Sequence, residues 1–123
     1  MILVDTSVWI DHLRTTNTVL VNRLEQQRVL CHPLVLGELA CGNLANRPAV
    51  LAALSDMPSV REASHAEVLT LIERQQLFGT GLGFTYAHLL ASTMITPGTR
   101  LWTRVRRLHR VVRQLGLAPG ERD

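Results

Sequence analysis

The chain has 123 residues, carries a formal net charge of +3, and is 46% hydrophobic. That length suits one domain with a single sizeable core and excludes two independent ones. No apolar run approaches the roughly 20 residues that a bilayer span needs, and MILVDTSVW lacks a basic leader segment, so the sequence reads as a single cytoplasmic domain over 1–123.

In chain order, Ile2, Leu3 and Val4 form a β-type run without alternation. This predicts a strand covered on both faces, as in a parallel sheet between helices. Asp5 closes the run, at the strand end where open α/β folds collect ligands. It reads either as a site residue or as a turn-former beside Thr6 and Ser7, each able to start the helix SVWIDHLR. A turn-rich TTNTV precedes a helix predicted over LVNRLEQQ, with Leu20 and Leu24 on one face, and RVLCH is a short strand. HPLVLGELACGNL predicts a helix with Pro33 in its first turn and Glu38 within it. RPAVLAALSDM is another helix, closed by Pro58, and SVRE reads as a strand.

Ser64 and Glu67 have the capping-box spacing at the start of HAEVLTLIERQQL. FGTGLG reads as a loop, because its glycines disfavour any regular element. Thr85 is the expected cap of YAHLLASTMI, TPGT a turn, RLWT a strand, and RVRRLHRVVRQLG an amphipathic helix ended by Gly116. The tail LAPGERD, from about residue 117, is expected to fray. This order predicts an α/β fold, a three-layer α/β/α arrangement with a mainly parallel central sheet.

Cys31 and Cys41 lack metal-binding spacing and read as free thiols. GTGLG departs from the dinucleotide fingerprint and follows a helix rather than a strand, which disfavours a nucleotide-binding domain. Every basic residue is Arg. Six of them, Arg100, Arg104, Arg106, Arg107, Arg110 and Arg113, crowd the C-terminal segment, either as a phosphate-binding patch or as a solvated helix face. His12, His32, His65 and His109 show no ligand spacing and read mostly as surface or cap residues.

The stretches ILVDTSVWIDHLR, HPLVLGELACGNL, GLGFTYAHLLAS and RLWTRVRRL, in that order over nearly the full length, resemble PIN-domain proteins of the VapC toxin type. The resemblance implies a Mg²⁺- or Mn²⁺-dependent ribonuclease that cuts RNA, is held inactive by a VapB-like antitoxin, and forms a homodimer. It implies Asp5 and Glu38 as the catalytic and metal-binding acids, with Thr6, Ser7 and Thr103 as supporting hydroxyls. His88 is compatible with the family pattern. Oxygen ligands suit such a site, since Mg²⁺ is commonly held by one or two carboxylates with water and substrate phosphate. Arg104, Arg106 and Arg107 are the candidate RNA-backbone contacts. Val8, Trp9 and Leu13, with Leu36 and Leu39, either line an antitoxin groove or pack in the chain's own core.

Two positions depart from the family pattern. Tyr86 stands where the family has an Asp, and Val105 where it commonly has another acid. A neutral phenol, with a pKa of about 10, is a poor metal ligand near neutrality. Tyr86 therefore either hydrogen-bonds Asp5 or Glu38, or packs in the core away from them. The alternative functional reading is a catalytically impaired PIN domain that only binds antitoxin, itself or RNA.

Overall fold

The computed structural model describes residues 1–120. Among them the elements run β1 (Ile2–Val4), α1 (Thr6–Arg14), α2 (Thr18–Glu25), β2 (Val29–Leu30), α3 (Pro33–Ala40), α4 (Arg47–Asp56), α5 (His65–Arg74), α6 (Phe84–Ile95), β3 (Arg100–Trp102) and α7 (Arg106–Gln114). The three strands form one parallel sheet in the order β2-β1-β3, as the three-layer α/β/α expectation required. Leu3 pairs with Leu30 on one side and Leu101 on the other, and Val4 pairs with Trp102.

The central strand is buried throughout, so its lack of alternation is a direct consequence of covering on both faces. Ile2, Leu3, Val4, Val29 and Leu101 meet Val8, Trp9, Val35, Leu39, Leu89, Leu90, Leu108 and Val112 in one core. Helix α1 packs on α3, α3 on α4, α5 on α6, and α6 against β3. No helix among the described residues is long and apolar enough to cross a membrane.

Local signals account for most element ends. Pro33 opens α3, where its missing N–H costs nothing. Ser64 Oγ accepts from Glu67 N at 3.1 Å and Glu67 Oε1 accepts from Ser64 N at 2.9 Å, closing the expected capping box of α5. Elsewhere the structure corrects the reading. TTNTV turns over residues 15–17, but Thr18 and Val19 are already helical, because Asn17 Oδ1 accepts from Leu20 N and starts α2 at Thr18. SVRE forms no strand and contributes one parallel bridge, Ser59 to Cys31, with Cys31 N donating to Pro58 O and Val60 N to Cys31 O. Gly83, not Thr85, occupies the N-cap of α6.

The tail begins tethered: Leu101 N donates to Leu117 O at 2.9 Å, and Leu117 and Ala118 pack against the core. The remainder of the expected frayed segment, 121–123, lies outside the described residues.

Leu3 is fully buried at the centre of the sheet. Leu3→Ala is expected to lower unfolding stability by about 2–5 kcal/mol, measured by urea denaturation. A loss under about 1 kcal/mol would contradict the close packing described for the central strand.

Candidate active site

All three strands deliver residues at their carboxyl ends. Asp5 follows β1, Thr103 follows β3, and β2 leads through His32 into α3, which carries Glu38. Asp5 occupies the N-cap position of α1, but its side chain makes no capping hydrogen bond, so the turn-former reading does not explain the carboxylate. Its Oδ2 instead accepts from Ser7 Oγ at 2.7 Å and from Thr103 Oγ1 at 2.8 Å. Those hydroxyls are themselves oriented, since Arg104 N donates to Ser7 Oγ at 3.0 Å and Val105 N donates to Thr103 Oγ1 at 3.1 Å. Each hydroxyl accepts from backbone and donates to the carboxylate, which fixes both hydrogens. The two backbone N–H groups went unforeseen, for no side-chain identity in the sequence announces them.

Asp5 is 1% exposed, and its Oδ1 has no hydrogen-bond partner. A buried carboxylate oxygen without a donor costs on the order of 1–3 kcal/mol or more, so this atom is a local instability that a bound group could relieve. Thr6 is buried with its hydroxyl likewise unpartnered, and it does not join Ser7 and Thr103 on Asp5.

Tyr86, in the first turn of α6, packs its ring against the core and is half-buried. Burial first, and then the negative charges of Asp5 and Glu38, push its phenol above its ordinary pKa of 10.0. Both carboxylates thus lie within electrostatic reach of the Tyr86 hydroxyl. Among the described residues Tyr86 makes no hydrogen bond to either acid, and of the two expected alternatives its ring takes the one that packs against the core. Glu38 is exposed on α3. Val105 takes the N-cap position of α7 without a side-chain cap and packs against the core, adding no polar group. No cluster of three or more His, Cys, Asp or Glu able to hold a metal occurs among the described residues, leaving a pair of carboxylates.

The arginines divide. Arg104 Nε pairs with Asp11 Oδ2 at 2.9 Å, and Arg107 Nη1 donates to Gly81 O at 3.2 Å. Gly81 has a φ of +81°, a conformation that favours glycine, and a Cβ there would stand 2.7 Å from Arg107 Nη1 and push the guanidinium aside. The clip holds the loop that delivers α6 and Tyr86. Arg106 is exposed on the first turn of α7.

On the apolar side, Val8 and Trp9 are core residues, whereas Ile10 and Leu13 are 38% and 39% exposed. They line a groove of about 350 Å³ with Glu38, Leu39, Gly42 and Leu44.

A parallel sheet with a buried, hydroxyl-locked carboxylate at the end of its central strand defines an α/β/α domain with an acid at its strand ends. No family model matches the sequence. The chain is, however, 46% identical over 121 residues to proteins named Ribonuclease VapC32 from two strains of Mycobacterium tuberculosis, covering 98% of this chain and 98% of each relative. The chain belongs to the VapC family of PIN-domain ribonucleases.

Tyr86 is the sole tyrosine, so absorbance at alkaline pH titrates this one phenol. The native midpoint is expected above 10.0, and Asp5→Asn or Glu38→Gln should each lower it, because removing a negative neighbour eases formation of the phenolate. An unchanged midpoint in both variants would remove Tyr86 from the acidic pocket.

Proposed function

We propose that this chain is a VapC-type endoribonuclease that hydrolyses RNA phosphodiester bonds with the help of a divalent cation. The observation that carries the reading is Asp5 Oδ1, a buried carboxylate oxygen without a donor, on an acid whose other oxygen is locked by two hydroxyls. The donor set fits Mg²⁺ or Mn²⁺: both acids offer oxygen, and one or two carboxylates are what such an ion commonly takes from a protein. Asp5 and Glu38 would hold it. When bound, the ion supplies charge neutralisation at the scissile phosphate and a lowered pKa for the attacking water.

The rest of the work falls to the chain. Ser7 and Thr103 hold Asp5 in one orientation, which spares reorganisation when substrate arrives. Arg106, with Arg104 and Arg107, forms a basic rim that contacts the RNA backbone; Arg104 remains 55% exposed despite its pairing with Asp11. The groove beside Glu38, with Ile10 and Leu13 at its edge, suits the apolar face of a helical segment from a VapB-like antitoxin. Action in the cytoplasm and assembly as a homodimer complete this reading.

A second reading is favoured by a specific observation. Tyr86 stands within electrostatic reach of both acids where the family pattern has a third one, which makes the chain a catalytically impaired member that keeps only its partner and RNA surfaces.

Cleavage of a mixed RNA pool with Mg²⁺, Mn²⁺ or EDTA separates the two. Metal-dependent cutting that falls by at least about a hundredfold in Asp5→Ala, equivalent to roughly 3 kcal/mol, supports the nuclease. A silent native chain beside a cutting Tyr86→Asp variant identifies the impaired form. For the basic rim, Arg106→Ala should weaken RNA binding across sequences and reduce the salt slope by about one. Unaltered binding across a salt series would remove Arg106 from the interface.

A further inference from the structure

A cleft of about 400 Å³ lies between the last turn of α1 and the start of α2, lined by Asp11, Arg14, Thr15, Thr16, Asn17 and Arg104. Two arginines meet one aspartate there, so the lining carries a net charge of +1, and it contains no aromatic ring. Arg104 joins this cleft to Asp5. Its backbone N donates to Ser7 Oγ at 3.0 Å, and Ser7 Oγ donates to Asp5 Oδ2 at 2.7 Å. Its side chain lines the cleft, where Nε pairs with Asp11 Oδ2 at 2.9 Å.

That pair uses one of the five guanidinium donors, and the Arg104 side chain has no other polar partner among the described residues. Arg14 is exposed and makes no ion pair or hydrogen bond among them, and the Thr15 and Thr16 hydroxyls are equally unpartnered. An ion pair whose side chains are 55% and 44% exposed adds little to stability. It does hold the Arg104 fork in place before anything binds, which lowers the ordering cost of binding.

We propose that this cleft is a phosphate subsite for an RNA phosphodiester flanking the one that is cut, with Arg14 and the terminal nitrogens of Arg104 as donors and Asp11 as the residue that positions Arg104. The inference rests on the ribonuclease reading above and extends the RNA path beyond the C-terminal arginines to the end of α1. Guanidinium forks give phosphate oxygens paired, charge-assisted hydrogen bonds, and the threonine hydroxyls add neutral donors of the kind that fix a backbone in register. A lining without an aromatic ring suits phosphate rather than a stacked base. Because Arg104 serves both places, a strand held in the cleft passes beside the hydroxyl that orients Asp5.

The test is fluorescence anisotropy with a labelled single-stranded RNA of mixed sequence, in EDTA so that no strand is cut, over a salt series. The native chain is compared with Arg14→Ala, Asp11→Ala and, as a control outside the cleft, Arg74→Ala on α5. Arg14→Ala should weaken binding about fivefold at 0.1 M salt and lower the salt slope by about 0.7, the share of one phosphate on a single strand. Asp11→Ala separates positioning from plain surface charge. Removing a negative charge tightens binding if only the field counts, whereas freeing Arg104 weakens it by about twofold or more, since that side chain must then be ordered by the RNA. Weaker binding in Asp11→Ala is expected, with Arg74→Ala equal to the native chain and melting temperatures verifying that each variant is folded. Unaltered binding in Arg14→Ala, tighter binding in Asp11→Ala, or an equal loss in Arg74→Ala would overturn the subsite. Polyglutamate that binds as tightly as RNA and is lost equally in Arg14→Ala would also overturn it, assigning the cleft to an acidic protein segment. Cleavage by the native chain with Mg²⁺ is read separately, so cutting together with unaltered Arg14→Ala binding sinks the subsite alone, and a native chain that neither binds nor cuts RNA sinks both readings.

Discussion

Everything in the acidic pocket depends on one constraint: a carboxylate has been placed at the end of a strand buried on both faces, and water cannot solvate it there. The fold answers for one oxygen only. Ser7 and Thr103 each donate to Asp5 Oδ2, and each is held in turn by a backbone N–H from the turn after β3. A polar network of this kind is rigid because every member has a single compatible hydrogen arrangement. Its rigidity stops at Oδ1, which is left without a donor, so the carboxylate has one satisfied and one unsatisfied oxygen.

The same geometry explains why Tyr86 matters more than Val105. Val105 contributes through its backbone N–H, which any residue other than proline supplies, and its side chain packs on the core. Tyr86 brings a ring and a hydroxyl within the field of both acids. Its position is set by the loop before α6, which Arg107 clips through Gly81 O. An arginine of the basic segment therefore also acts inside the protein, as Arg104 does with Asp11.

The parallel sheet, Asp5 at its central strand end, the capping box at Ser64 and the helix opened by Pro33 were all legible, because each rests on a local rule that tertiary packing did not oppose. Asn17 was passed over because a turn-forming residue and an N-cap residue are the same chemistry, and only the following backbone decides between them. SVRE has strand-like residues but meets β2 at one bridge, since strand length is set by the available partner edge. The Tyr86 environment, the pairing of Arg104 with Asp11 and the facing of His65 and His88 join residues 23 to 93 positions apart in sequence. No spacing rule reaches them. His65 and His88 lie 23 positions apart on different helices, which hides their contact in the linear chain.

The pairing of β1 with both other strands carries a consequence for synthesis. Asp5 emerges from the ribosome well before Thr103, which holds its Oδ2 and lies 98 positions later. Arg104 N, which orients Ser7, lies 97 positions after that hydroxyl. A nascent chain short of residue 104 therefore lacks the donors that make the pocket rigid, and contacts this distant in sequence form slowly. The network around Asp5 is completed only once Thr103 and Arg104 have been made, so a shorter nascent chain does not yet carry the assembled site.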